Sequence, residues 1–243
     1  MPASIRLVLV PALALALWGI ALAQKPADAN EAKAAGDSSK SKAPAESGEA
    51  KEKAEANDGF RPLFNGKDLT GWKTTGNWVV EEGGVLALKP RQGEKGWTRY
   101  DAYLTAEGKF KNYVLDLEYK YTKGGNSGVY VRIKDMKNPV ATGIEAQVLD
   151  SFGKKEPLSH HDHGGIVGTV GPSKNMSKPA GEWNRMVLTL DGARMKVKLN
   201  GEQIIDLELD KSAVKDRPLE GFISIQDHGQ PFWVRNIRIK ELP

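Results

Sequence analysis

From residue 60 onward the chain alternates apolar and polar residues in short runs, and Gly, Asn or Asp turn signals interrupt the runs roughly every 8–12 residues. Glu82-Gly83-Gly84 separates Asn77–Val80 from Val85–Leu88, and Gly124-Gly125 separates Tyr113–Tyr121 from the strand around Val129. Met186, Leu188 and Leu190 lead into Asp191-Gly192; Met195, Val197 and Leu199 then lead into Asn200-Gly201 and an Ile204-Ile205 strand. These are hairpin signals, and three such strands in succession read as a β-meander. Two further strands follow, Gly221–Gln226 and Phe232–Glu241, with Trp233, Ile237 and Ile239 assigned to the core. The pattern predicts an all-β fold: two antiparallel sheets packed as a jelly-roll sandwich, with a closed barrel as the second choice.

Two of these strands have one greasy face and one chemically equipped face. In Asn126–Ile133, Val129, Val131 and Ile133 are expected opposite Tyr130 and Arg132. In Gly143–Asp150, Ile144, Ala146 and Val148 are expected opposite Glu145 and Gln147. Ser224 and Gln226 similarly oppose Ile223 and Ile225. An Arg132–Glu145 cross-strand ion pair would need no ligand. Tyr130, Gln147, Gln226 and Asp150 on the same inferred front supply more donors and acceptors than one ion pair uses, a surface suited to sugar hydroxyls.

The N-terminal region lacks this pattern. Residues 1–23 read as a secretory signal: Arg6 provides the positive start, Leu7–Ile20 the apolar stretch, and Ala21-Leu22-Ala23 the small residues of a cleavage site before Gln24. An uncleaved anchor is the competing reading. Residues 24–57 contain Ala, Lys, Glu, Ser, Asp and Pro but no aromatic or branched aliphatic residue, a composition that reads as a disordered linker. Residues 58–243 then form a single domain. The chain is expected to be exported, to the periplasm or beyond the cell, with no stable membrane span after cleavage. It contains no cysteine, so neither a disulfide framework nor a lipid-modified N-terminal cysteine is available. Its formal net charge of +4 comes from interspersed charges without a basic stripe, which argues against nucleic-acid binding.

Of four histidines, His160, His161 and His163 lie in one segment, and His228 follows Gln226. One reading makes a histidine of this segment a proton-transfer group, since imidazole titrates nearest neutrality. A second makes His161, Asp162 and His163 ligands of a divalent metal. A third gives them no chemical role. Among the tryptophans, Trp97 lies in the Gly- and Lys-rich Gln92–Tyr100 segment, where a loop could present its ring to a pyranose.

Seven blocks carry a resemblance to a known family: Leu63–Trp72, Gly125–Arg132, Glu145–Asp150, Pro179–Asn184, Leu199–Gly201, Gly221–Gln226 and Arg235–Leu242. Together, in this order, they resemble the 3-keto-disaccharide hydrolase family, which has a concanavalin A-like glucanase fold. The resemblance implies a glycoside oxidised at C3 by a separate sugar 3-dehydrogenase. The ketone acidifies the C2 proton; a base removes it, the C1 substituent is expelled, and water adds. Carried onto this chain, the resemblance gives Arg132 the enolate oxygen and gives the C2 proton to Glu145 or to a histidine of the 160–163 loop, His161 or His163. Gln147 and Gln226 orient hydroxyls, and Tyr130, Asp150, His228, Trp97 and Asn126 complete the substrate-binding set. The rival reading is a non-catalytic carbohydrate-binding sandwich. In place of the family's Gly-x-Leu-Tyr-like run the chain has Gly165-Ile-Val-Gly168, without a tyrosine.

Overall fold

The computed structural model describes residues 58–94 and 96–243; the expected signal peptide and linker lie outside them. In chain order the strands are β1 (Arg61–Pro62), β2 (Trp72–Lys73), β3 (Trp78–Glu81), β4 (Val85–Leu88), β5 (Leu104–Ala106), β6 (Tyr113–Tyr121) and β7 (Asn126–Ile133). A short helix α1 (Pro139–Thr142) precedes β8 (Ile144–Leu149). The remainder are β9 (Asn184–Asp191), β10 (Arg194–Leu199), β11 (Glu202–Glu208), β12 (Phe222–Ile225) and β13 (Phe232–Glu241). The two-residue β1 and β2 do not appear in the sequence reading, being too short to show an alternation.

The larger sheet runs β11-β10-β9-β6-β13-β4-β3, and the smaller β2-β5-β12-β7-β8, with every strand pair antiparallel. One edge of β13 is shared end to end by β4, at Phe232–Val234, and by β1, at Arg238 and Ile239. The sandwich is therefore as the alternation requires. Leu115, Leu117, Met186, Leu188, Met195 and Val197 from the large sheet pack against Val129, Val131, Ile144, Ala146, Val148, Ile223 and Ile225 from the small one. Burying side chains of this kind stabilises a fold by about 1.5–3 kcal/mol each, the main term opposing chain entropy in a domain with no disulfide. Among the described residues no helix is long and apolar enough to cross a membrane.

Two expected positions are corrected. Trp233 is not a core residue: it lies half-buried on the outer face of the large sheet, where Lys120 Nζ sits 5.2 Å from its ring and 5.0 Å from that of Trp183. Phe232 and Val234 on either side of it point inward, and the period of two turns Trp233 outward. The second correction concerns Arg132. Opposite it, β12 advances two residues, from Phe222 to Ser224, while β7 spans three, from Ile133 back to Tyr130. The extra residue is a β-bulge, and Arg132 has φ +52°. Gly221 leaves room for it, since a Cβ there would lie 2.4 Å from the Arg132 carbonyl carbon. The bulge breaks the period of two. Ile133 joins Tyr130 on the outer face, packing with Tyr103, Tyr100, Met136 and Phe222. The Arg132 side chain, 1% exposed, instead crosses between the sheets and donates to the Gly192 carbonyl, in the β9–β10 turn, at 2.6 Å.

Candidate active site

The outward residues of the small sheet fall into rows fixed by strand register. Lys73 pairs with Thr105, Thr105 with Ser224, Ser224 with Tyr130, and Tyr130 with Glu145, so these five stand side by side across the sheet. In the next row Gln147 opposes Gly128, whose carbonyl accepts the Gln226 backbone N–H at 2.9 Å, and the Gln226 side chain reaches Tyr103. All are on the face opposite the core residues of the same strands.

Glu145 is the chemically distinctive member. The Tyr130 hydroxyl donates to Glu145 Oε2 at 2.6 Å. The carboxylate lies over Gly128, where a Cβ would come within 2.3 Å of Oε1. Burial pushes the Glu145 carboxyl up to about 7, an effect only partly offset by the Tyr130 hydrogen bond. A carboxyl so placed is about half ionised at pH 7, and its ionised form is basic enough to accept a proton from carbon. Burial and the neighbouring Glu145 charge push the Tyr130 phenol far above its ordinary value. Burial does the same to Tyr103, so both remain O–H donors at neutral pH. Gln226 Nε2 donates to the Tyr103 hydroxyl at 3.0 Å, and that hydroxyl donates to the Trp97 carbonyl at 2.8 Å. Gln226 Oε1 and Asn126 Oδ1 are buried with no hydrogen-bond partner in the protein. Unpaired buried acceptors of this kind are costly unless something supplies a donor.

Gly128 and Tyr103 are site residues that the sequence reading did not single out. The signal for Gly128 is a residue without a side chain on the polar face of its strand, and for Tyr103 its position immediately before a strand only three residues long, on the same side as Thr105. Substituting Gly128 by Ala would force the Glu145 carboxylate off its position. The expected result is a stability loss of about 1–3 kcal/mol, read by denaturant titration.

The other sequence-derived candidates divide. Asn126 and His228 meet at the β7 end of the same face, with Asn126 Nδ2 3.2 Å from His228 Nε2 and the Asn126 backbone N–H donating to Gln230 Oε1 at 2.7 Å. Burial lowers the His228 pKa. Gln147 is buried and its Oε1 accepts the Val148 N–H at 3.1 Å. Trp97 is 49% exposed, in a segment seated against His228 and Gly229 through the glycine contact at Gly96. Asp150 accepts the Gly124 N–H at 2.8 Å and fixes the turn before β7. Arg132, on the inner face, is not brought to Glu145.

The histidine segment does not assemble as a metal-ligand set. His161 is exposed and leans against His160, with ring centroids 4.1 Å apart and planes inclined by 48°. Asp162 points to Lys154 Nζ at 2.7 Å and to the Ser159 N–H at 2.6 Å, and although burial opposes it, these partners hold its pKa below the ordinary value. His163, 1% exposed, enters the core, where Tyr119 OH lies 2.5 Å from Nε2 and Tyr121 OH 3.2 Å from Nδ1. Burial depresses its pKa to about 3, leaving a neutral imidazole with both nitrogens engaged. The three consecutive residues point three ways, and among the described residues no group of three or more His, Asp or Glu is close enough to hold a metal ion.

The chain is 28% identical over 230 residues to the 3-keto-disaccharide hydrolase of Bacteroides thetaiotaomicron, covering 76% of this chain and 79% of that one. A crystal structure from Parabacteroides distasonis ATCC 8503, provisionally named a glycosyl hydrolase, is 27% identical, covering 75% of this chain and 99% of that one with a TM-score of 0.64. The carbohydrate-binding module CBM66 from Bacillus subtilis shares the fold at 13% identity, covering 70% of this chain and 96% of that one with a TM-score of 0.50. Residues 59–240 match the family model of the 3-keto-alpha-glucoside-1,2-lyase-like domain, and the chain belongs to that family.

Proposed function

We propose that the domain cleaves glycosides whose glucose unit carries a C3 ketone, by elimination across C1 and C2 followed by addition of water. The observation that carries this reading is Glu145: a half-buried carboxylate held by the Tyr130 hydroxyl over Gly128 on the polar face of the small sheet, and raised to about 7 by desolvation. In the first step Glu145 takes the C2 proton, whose acidity the adjacent ketone provides. The electron pair forms the C1–C2 double bond as the C1–O bond breaks, and the departing alkoxide takes a proton from solvent. Water then adds its oxygen to C1 and a proton to C2, giving free 3-keto-glucose. The net change is hydrolysis.

Negative charge develops on the C3 oxygen during proton removal. With Arg132 in the core and the Tyr103 hydrogen held by the Trp97 carbonyl, the donor on this face is the Tyr130 hydroxyl: once Glu145 has taken the C2 proton its carboxyl can donate to the Tyr130 oxygen, and the Tyr130 hydrogen is freed for the C3 oxygen. The unpartnered Gln226 Oε1 and Asn126 Oδ1 would accept sugar hydroxyls, and His228 would hold Asn126 in place. The ketone would be installed by a separate sugar 3-dehydrogenase, and the N-terminal sequence fits export to the compartment where such glycosides are met.

Turnover in D2O tests this reading. The expected result is release of the alcohol from a methyl 3-keto-glucoside, deuterium at C2 of the product, and no release from the unoxidised glucoside. Cleavage without deuterium at C2 would replace elimination by direct displacement. Binding of either sugar without cleavage would favour a carbohydrate-binding module.

A further inference from the structure

Tyr103 is buried between Gln226 and the backbone of the Trp97 segment, and its hydroxyl has a partner on each side. One is the Trp97 carbonyl at 2.8 Å, which can only accept, so the Tyr103 hydrogen lies on that bond. The other is the Gln226 amide at 3.0 Å. With its hydrogen committed, the Tyr103 oxygen can only accept from Gln226. That decides which end of the amide is which: the NH2 faces Tyr103, and Oε1 is turned away from it. Oε1 is buried without a partner in the protein. The Trp97 carbonyl thus sets the polarity of the whole chain of bonds.

Strand register shows what lies on the other side of Gln226. Leu104 pairs with Ile225 and Ile225 with Val129, so the adjoining row on the outer face runs Tyr103, Gln226, Gly128. The Gln226 side chain bonds to Tyr103 and its backbone N–H to the Gly128 carbonyl, which holds that order. The Glu145 carboxylate fills the space above Gly128, one strand spacing, about 5 Å, from the strand of Gln226. A bare acceptor beside the base calls for a hydrogen to accept. In a 3-keto-glucoside C3 carries a ketone and C1 two ether oxygens, so among the three carbons at the reaction only C2 bears a group that can donate. Resting on the function proposed above, we propose that Tyr103 is a positioning residue that holds Gln226 as an acceptor for the C2 hydroxyl, so that turnover requires a hydroxyl on the carbon that loses its proton.

The test compares methyl 3-keto-glucoside with its 2-deoxy counterpart, which keeps the ketone, a hydrogen in the same place on C2 and the same leaving group. Each kcat/KM is divided by the rate of hydroxide-catalysed elimination of the same compound, which removes the difference in C2 acidity. The expected ratio is roughly 10- to 100-fold in favour of the hydroxyl-bearing sugar, the scale of leaving one buried acceptor unpaired. In Tyr103→Phe the amide loses its anchor and can turn either end to the sugar. The ratio should then approach unity, through slower turnover of the hydroxyl-bearing compound with the 2-deoxy rate little changed. Gln226→Leu, which removes the acceptor and leaves the Tyr103–Trp97 bond in place, should lose the preference as well. A melting curve for each variant confirms that the domain is folded. A purely structural role for Tyr103 would slow both compounds alike and keep the ratio; that result, a preference retained in Gln226→Leu, or equal normalised rates in the native protein would overturn this role while leaving the proposed chemistry intact. Failure of the native protein to cleave either compound would overturn the chemistry itself, and this role with it.

Discussion

Glu145→Gln is expected to lower kcat on a 3-keto-glucoside by about 10²–10⁴-fold, the contribution of a positioned general base, with the fold retained. Glutamine keeps the shape and can still accept the Tyr130 hydroxyl through its amide oxygen, but it cannot take a proton from C2. The pH profile separates this role from a structural one. With Glu145 at about 7, the base is ionised above that value and protonated below it, so kcat/KM should fall tenfold per pH unit on the acid side and level off above about 7. Residual activity of the variant should lack that limb. His163 cannot produce it, because burial places its titration near 3. A native profile that is flat from pH 5 to 8 would remove Glu145 from the base role.

The sandwich was legible because its strands are half-buried, and a half-buried strand must alternate. The turns after Leu190 and Leu199 and the pairing of Ile223 and Ile225 inward are as the sequence predicts. The face bearing Glu145, Gln147, Ser224 and Gln226 follows from the same rule. Where the rule failed, the cause was a local departure that no periodicity records. At Arg132 one bulged residue reverses the inward–outward parity of β7, so the side chain expected beside Glu145 enters the space between the sheets. His163 became a core residue because Tyr119 and Tyr121, more than 40 residues earlier, supply both of its ring nitrogens with partners. The importance of Gly128 lies in a side chain it lacks, and becomes visible only when Glu145 is placed above it.

The carboxylate proposed as the base should also weaken the fold at neutral pH. The ordinary value of a glutamate is 4.5, and burial raises Glu145 to about 7. Below 4.5 the group is protonated in both the folded and unfolded chain and has no effect on the balance between them. Between 4.5 and 7 the unfolded chain releases the proton and the folded one retains it, so stability falls as pH rises; above 7 the loss is complete. The expected total is about 3 kcal/mol. Glu145→Gln removes the titration, so the variant should match the native protein near pH 4.5 and exceed it by about 3 kcal/mol at pH 8, roughly 6–12 °C in Tm for a domain of this size. Denaturant titrations of both proteins at the two pH values would show this. A variant less stable than the native protein at pH 8 would mean that the folded chain welcomes the charge on Glu145. The raised basicity on which proton removal from C2 depends would then be absent.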